Sequence, residues 1–198
     1  MALSRSEYNH LIDQALSLGA SDAAVIPSGQ IIVADQLALK CVQPRCENFG
    51  LSYSCPPYVA GPSGFRTLIK ELPQALAVRL VVPASTLLSW ERLEVGRFLH
   101  EMVACLEEEA RSLGFSASRG FAGGSCKELF CQEHLSCQQA SEGGPCRHPD
   151  LARPSLSGYG VNVFSLVESC GWSTQLEAGQ APGDNAALSW VIGLIMLG

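Results

Sequence analysis

The stretch Leu76-Ala77-Val78-Arg79-Leu80-Val81-Val82, with Pro73 before it and Pro83 after it, decides the fold class. Branched apolar residues bounded by prolines predict a buried strand. Working outward, residues 65–72 read as a short helix and 90–113 as the longest one. In the long helix Val95, Phe98, Leu99, Met102, Leu106, Ala110 and Leu113 line one face, and Gly114 stops it. An opening helix is predicted over 6–18, where Tyr8, Leu11, Ile12, Ala15, Leu16 and Leu18 form a stripe ended by Gly19. Further strands are predicted at 23–26, 31–33, 115–121 and 188–197, and helical pieces at 34–40, 155–157 and 162–170. This alternation predicts a single domain over 1–198, of α/β or α+β class.

Two segments break the pattern, 41–64 and 122–154, and both are expected on the same side of the domain. They are rich in Pro, Gly and Ser. A structureless segment as long as the second needs a physical reason, and a bound cofactor is one.

Those segments hold seven of the chain's nine cysteines. With 198 residues, 47% of them hydrophobic and 16% charged, the chain can build a core without disulfide staples. No basic stretch followed by an apolar one opens the sequence. The longest apolar run, Trp190-Val191-Ile192-Gly193-Leu194-Ile195-Met196-Leu197, is far short of the roughly 20 residues a membrane helix needs. The expectation is therefore a cytoplasmic protein with no membrane contact, in which clustered cysteines read as metal ligands. A net charge of −6 with scattered Lys and Arg gives no sign of nucleic-acid binding.

The first group is Cys41-Val-Gln-Pro-Arg-Cys46-Glu-Asn-Phe-Gly-Leu-Ser-Tyr-Ser-Cys55-Pro56-Pro57, three thiols within fifteen residues. A Gly/Pro loop of this kind can curl so that its sulfurs converge, with backbone N–H groups free to face bridging sulfides. The competing reading is three unrelated buried thiols. Their setting in polar loop, off any apolar stripe, argues against it. Three ligands leave a fourth position, to be filled from elsewhere or left open.

The second group is Cys126, Cys131, Cys137 and Cys146, with Gly123-Gly124 and Gly143-Gly144 shortly before the first and last. Four thiols make a complete set. Their spacings of four, five and eight intervening residues differ both from the common ferredoxin run and from paired zinc knuckles. Soft thiolates select iron–sulphur clusters or zinc. The abundance of loop cysteines over histidines favours one or two [4Fe–4S] clusters, with structural zinc as the alternative. His134 and His148 lie in this loop and read as solvated or supporting imidazoles, though either can replace a thiolate.

At these loops the sequence resembles a family of uncharacterised, cysteine-rich predicted metal-binding proteins common in anaerobic bacteria and archaea. The likeness rests on Cys41, Cys46, Asn48-Phe49-Gly50, Ser52 and Cys55-Pro56-Pro57. It continues through Pro145-Cys146-Arg147, Pro149, Ala152-Arg153-Pro154-Ser155 and Tyr159-Gly160-Val161-Asn162-Val163. It covers roughly residues 20–198. The resemblance implies a cysteine-ligated metal centre of iron–sulphur type, with no agreed reaction. In the family the second loop's cysteines are closer together, so the wider Cys126–Cys131–Cys137 spacing leaves open whether all three serve one ion or cluster.

Of the other cysteines, Cys105 is predicted to face the core from the long helix. Cys170 reads as a core thiol and as the best spare ligand for the first group. Arg153-Pro154-Ser155 reads as a helix start beside Arg147, either a plain cap or an anion site. Dinucleotide, Walker A, H-E-x-x-H and G-x-S-x-G motifs are absent, as is the cysteine triplet of radical S-adenosylmethionine enzymes. The expected function is redox or electron transfer with a partner protein. The rivals are structural zinc and an enzyme using an open iron beside Cys41, Cys46 and Cys55.

Overall fold

The computed structural model describes residues 5–176 and 187–198. In chain order its helices are α1 (Arg5–Ser17), α2 (Asp35–Leu39), α3 (Gly61–Glu71), α4 (Ala84–Leu87), α5 (Arg92–Ser112), α6 (Cys126–Phe130), α7 (Gln138–Glu142) and α8 (Val163–Ser169). The strands are β1 (Asp22–Pro27), β2 (Gln74–Pro83), β3 (Arg119–Phe121) and β4 (Leu188–Leu197). Single 3-10 turns form at Ser28–Gln30 and Leu156–Tyr159. The strands make one sheet in the order β1-β2-β4-β3, antiparallel at every pairing. The fold is thus a mixed α/β domain around a four-stranded antiparallel sheet.

The two-residue period of β2 and β4 sorts the core into two layers. Leu76, Val78 and Leu80, with Ile195 and Leu197, face α1 and α5, meeting Leu11, Ala15, Leu99, Val103 and Leu106. Ala75 and Ala77, with Ile192, Leu194 and Met196, face the other way, onto Phe65 of α3 and Leu166 and Val167 of α8. The central strand is therefore apolar on both faces because it is covered on both. Its one charge, Arg79, is buried at 6% exposure and pairs with Asp22 directly across from it on β1. The Arg79 guanidinium also lies 5.0 Å from the Trp172 ring.

Gly193 sits at the centre of β4, where a Cβ would come within 2.4 Å of Val103 Cγ2. The missing side chain is what lets α5 lie close on the sheet.

Several local expectations are corrected. Residues 31–33 form no strand. Val33 makes one isolated bridge to Val161, and the turn Ser28–Gln30 precedes it. The 115–121 strand shrinks to Arg119–Phe121 because the chain first closes off α5, with Gly114 at φ 102° and Phe115 N–H donating to the Ala110 carbonyl. Segment 122–154 is not devoid of regular structure, since it contains α6 and α7. Residues 155–157 form a 3-10 turn with their neighbours and not an α-helix.

Cys105 is exposed, contrary to its expected core position. It belongs to the stripe Glu101, Cys105, Glu108 and Ser112, all exposed at i, i+4 and i+3 steps. The α5 positions that are buried instead include two polar ones, His100 and Glu107. Among the described residues no helix is long and apolar enough to cross a membrane.

Candidate metal centre

The first cysteine loop runs from the end of α2 to the start of α3 and folds through short backbone turns. Cys41 N–H donates to the Ala38 carbonyl, Cys46 N–H to that of Cys41, and Cys55 N–H to that of Ser52. Gly50, at φ 78°, reverses the chain so that its N–H reaches the Pro56 carbonyl. The result gathers Cys41, Cys46 and Cys55 around one cavity of about 120 Å³, whose wall is completed by Asn48, Ser125 and Ser157 among others. Cys55 is buried, Cys41 half-buried and Cys46 exposed.

The second loop places its four thiols around a separate, smaller cavity of about 20 Å³. Cys126 opens α6 and Cys131 follows its last residue, while Cys137 caps the start of α7. Gly143, in the left-handed conformation at φ 65°, ends α7 and turns the chain back towards Cys146. Lys127 pins the loop by donating from Nζ to the carbonyls of Cys131 at 2.7 Å and His134 at 2.6 Å. Arg147 does the same towards the Ser136 carbonyl. His148 lines this cavity beside Phe130, whereas the His134 residue is exposed. Among the described residues, no three His, Cys, Asp or Glu side chains stand in a group that could hold a single metal ion. The thiols surround spaces instead.

The two loops are tied to each other. The Ser54 hydroxyl donates to Cys126 Sγ at 3.0 Å, and Ser52 bridges to both Ser54 and Ser125. Asn48 donates to Glu128 of α6. Ser155 N–H donates to the Ser54 carbonyl. Both expected thiol groups therefore lie on one side of the domain.

Electrostatics agree with crowded thiols. Burial pushes Cys126 up to about 11, opposed by the Ser54 and Ser52 hydroxyls and reinforced by Cys146 and Cys55. Burial also raises Cys41, with Cys46 and Cys55 adding their repulsion. Cys131 rises by burial and the nearness of Cys146, while Arg147 and Lys127 pull against it. A bound metal cation offsets both desolvation and mutual repulsion, which is how metal binding draws protons off such a set.

The base of the second loop is held by residues that the sequence reading missed. Ala122 and Ser155 form a parallel bridge that brings the loop's ends together. Over it lies the fully buried His100, whose Nε2 meets the Gly123 carbonyl at 3.1 Å while Nδ1 accepts the Arg153 N–H at 3.1 Å. The imidazole is thus neutral, with its proton on Nε2, and burial lowers its pKa to about 4. Two turns further along α5, Glu107 accepts from both Arg111 and Arg153. The signal available in the sequence was a pair of polar residues seven apart inside an apolar helix face.

The remaining expectations are settled by position. Arg153 donates from Nε to Glu107, and no α-helix starts beside it. Cys170 packs against the core layer beyond the sheet, near Arg79. It is absent from the wall of the Cys41 cavity.

The model of a family described as predicted metal-binding protein (DUF2284) matches residues 24–196, and the chain belongs to that family. Neither a curated protein nor a solved structure matches the chain.

Proposed function

With that membership as the premise, we propose that the chain is a cytoplasmic iron–sulphur protein of redox or electron-transfer type. In this reading Cys126, Cys131, Cys137 and Cys146 hold one [4Fe–4S] cluster. Cys41, Cys46 and Cys55 hold three corners of a second. The observation that carries the reading is the sorting of seven loop thiols into two sets, each around its own cavity. Soft sulfur donors without competing carboxylates suit iron–sulphur chemistry. When bound, the clusters would accept and release single electrons. The chain's own part is to position the sulfurs, to shield Cys55 and Cys126 from water, and to supply the Ser54 hydroxyl to a ligand sulfur.

Anaerobic metal and sulfide analysis tests the proposal. The expected result is iron with equimolar acid-labile sulfide. Stoichiometric zinc without sulfide, in protein isolated anaerobically, would replace it with the structural zinc reading, which four thiols around a small space also suit.

A second reading concerns the first group alone. Its cavity is about six times the volume of the other, 120 against 20 Å³, and the rest of its wall includes Asn48, Ser125, Ser155 and Ser157. Three thiols facing spare room support an open coordination position, as catalytic metal sites keep. Binding of a small exogenous ligand that perturbs the metal spectrum, and that vanishes in Cys46→Ser, would favour an enzyme over a carrier.

A further inference from the structure

Between β3 and the end of the second cysteine loop lies a cavity of about 450 Å³ that includes none of the nine cysteines in its wall. We infer that it is a binding site for a small oxyanion, a carboxylate or phosphate compound, received by Arg111, Arg119 and Arg153. The volume falls among those of small-molecule sites, about 300–1,000 Å³. Three guanidinium groups line it against one carboxylate, Glu107, so the wall carries a formal +2 within a chain of net charge −6. A concave cationic surface in an acidic protein concentrates anions.

Arg111 and Arg153 are held in place by the protein, and Arg119 stands exposed beside them. Glu107, 5% exposed, holds Arg111 and Arg153 in place from beneath. Arg111 also donates to the Ser118 carbonyl, and Arg153 Nη1 to the carbonyls of Pro149 and Ala152. Among the described residues this leaves Arg153 Nη2 without a hydrogen bond, and Arg119 with no carboxylate at all. Those are the fork donors that match carboxylate and phosphate oxygens.

Two further features shape the wall. Gly120 lets α5 and the Glu107–Arg153 pair lie close on β3, since a Cβ there would come within 2.7 Å of Val103 Cγ1 and 3.0 Å of Glu107 Oε2. The Ser118 hydroxyl is buried in the wall with no hydrogen-bond partner among the described residues, so a rotation can offer it to an occupant without breaking a bond. The site stands independently of what the cysteines bind.

Calorimetric titration of the full chain with inorganic phosphate, succinate and uncharged succinamide tests the assignment. Saturable binding of phosphate or succinate, with none of succinamide, is the expected result. Arg119→Ala should weaken it about tenfold, roughly the 1.4 kcal/mol of a lost charged contact, and Arg119→Lys should restore part. Tighter phosphate identifies a phosphate compound, and tighter succinate a carboxylate. Failure of both anions to saturate, or affinity unchanged in a folded Arg119→Ala, overturns the site. Metal and sulfide content of Arg119→Ala should equal that of the unaltered chain, which keeps this test separate from that of the metal centres.

Discussion

The Ser54 hydroxyl, on the first cysteine loop, donates a 3.0 Å hydrogen bond to Cys126 Sγ, on the second. A donor on a ligand sulfur favours the more negative, reduced form of a metal centre, so it raises the reduction potential. If Cys126 holds a cluster, as proposed, Ser54→Ala is therefore expected to lower the potential of that centre, and Ser54→Thr to leave it near the original value. Protein-film voltammetry reads both. An unchanged potential in the alanine variant would show that this contact does not reach the metal.

The cysteines should separate by placement. Cys131→Ser and Cys146→Ser are expected to reduce metal content and thermal stability together, because in this reading metal binding is folding energy for the loop. Cys105→Ser should change neither, with a stability effect within about 0.5 kcal/mol, since the side chain lies on the exposed stripe of α5. Metal loss in Cys105→Ser with retention in Cys131→Ser would reverse the assignment.

His100 makes the fold acid-sensitive. Its pKa falls from an ordinary 6.5 to about 4 through burial. The neutral form is the one the native state holds, so the stabilisation is complete above pH 6.5 and drains away as the pH drops towards 4. The shift corresponds to about 3 kcal/mol. Urea melts at pH 7 and near pH 4.5 should show a steeper loss for the unaltered chain than for His100→Gln, which cannot take the proton. Parallel losses in the two proteins would refute it.

Gly193→Ala places a methyl group 2.4 Å from Val103 Cγ2, between the centre of β4 and α5. Overpacking of this kind costs about 1–3 kcal/mol. A combined Gly193→Ala, Val103→Ala variant should recover much of the loss, and thermal melts of the two variants and the unaltered chain check it.

The two central strands of the sheet were legible because they are long and covered on both faces. Leu76–Val82 and Leu188–Leu197 are apolar at nearly every position, and the long α5 and opening α1 carry helical stripes. Short elements were not legible. The 31–33 strand reduces to one bridge, because one hydrogen-bonded pair leaves almost no pattern to read. Residues 115–118 are apolar enough for a strand yet are used to finish α5. Cys105 was misplaced because it flanks the buried stripe by one step, and a single helical step is 100° of rotation. The thiol groups were visible from their clustering, since convergence there needs only short loops. The clamp of His100 and Glu107 was not visible, because its partners, Gly123, Arg111 and Arg153, include two that lie more than twenty residues away.

The bridge between Ala122 and Ser155 means that segment 122–155 leaves the scaffold and returns to it at almost the same point. The strand register consequently depends on the two ends of that excursion, while α6 anchors its first part on α5 through Leu129 and Glu128. Beyond α6, residues can be gained or lost before Cys146 with only a slowly growing entropic cost and without shifting any strand register. The wide spacing that sets this second group apart is thus a freedom that the architecture grants, as a handle may be long or short while its two rivets stay where they are.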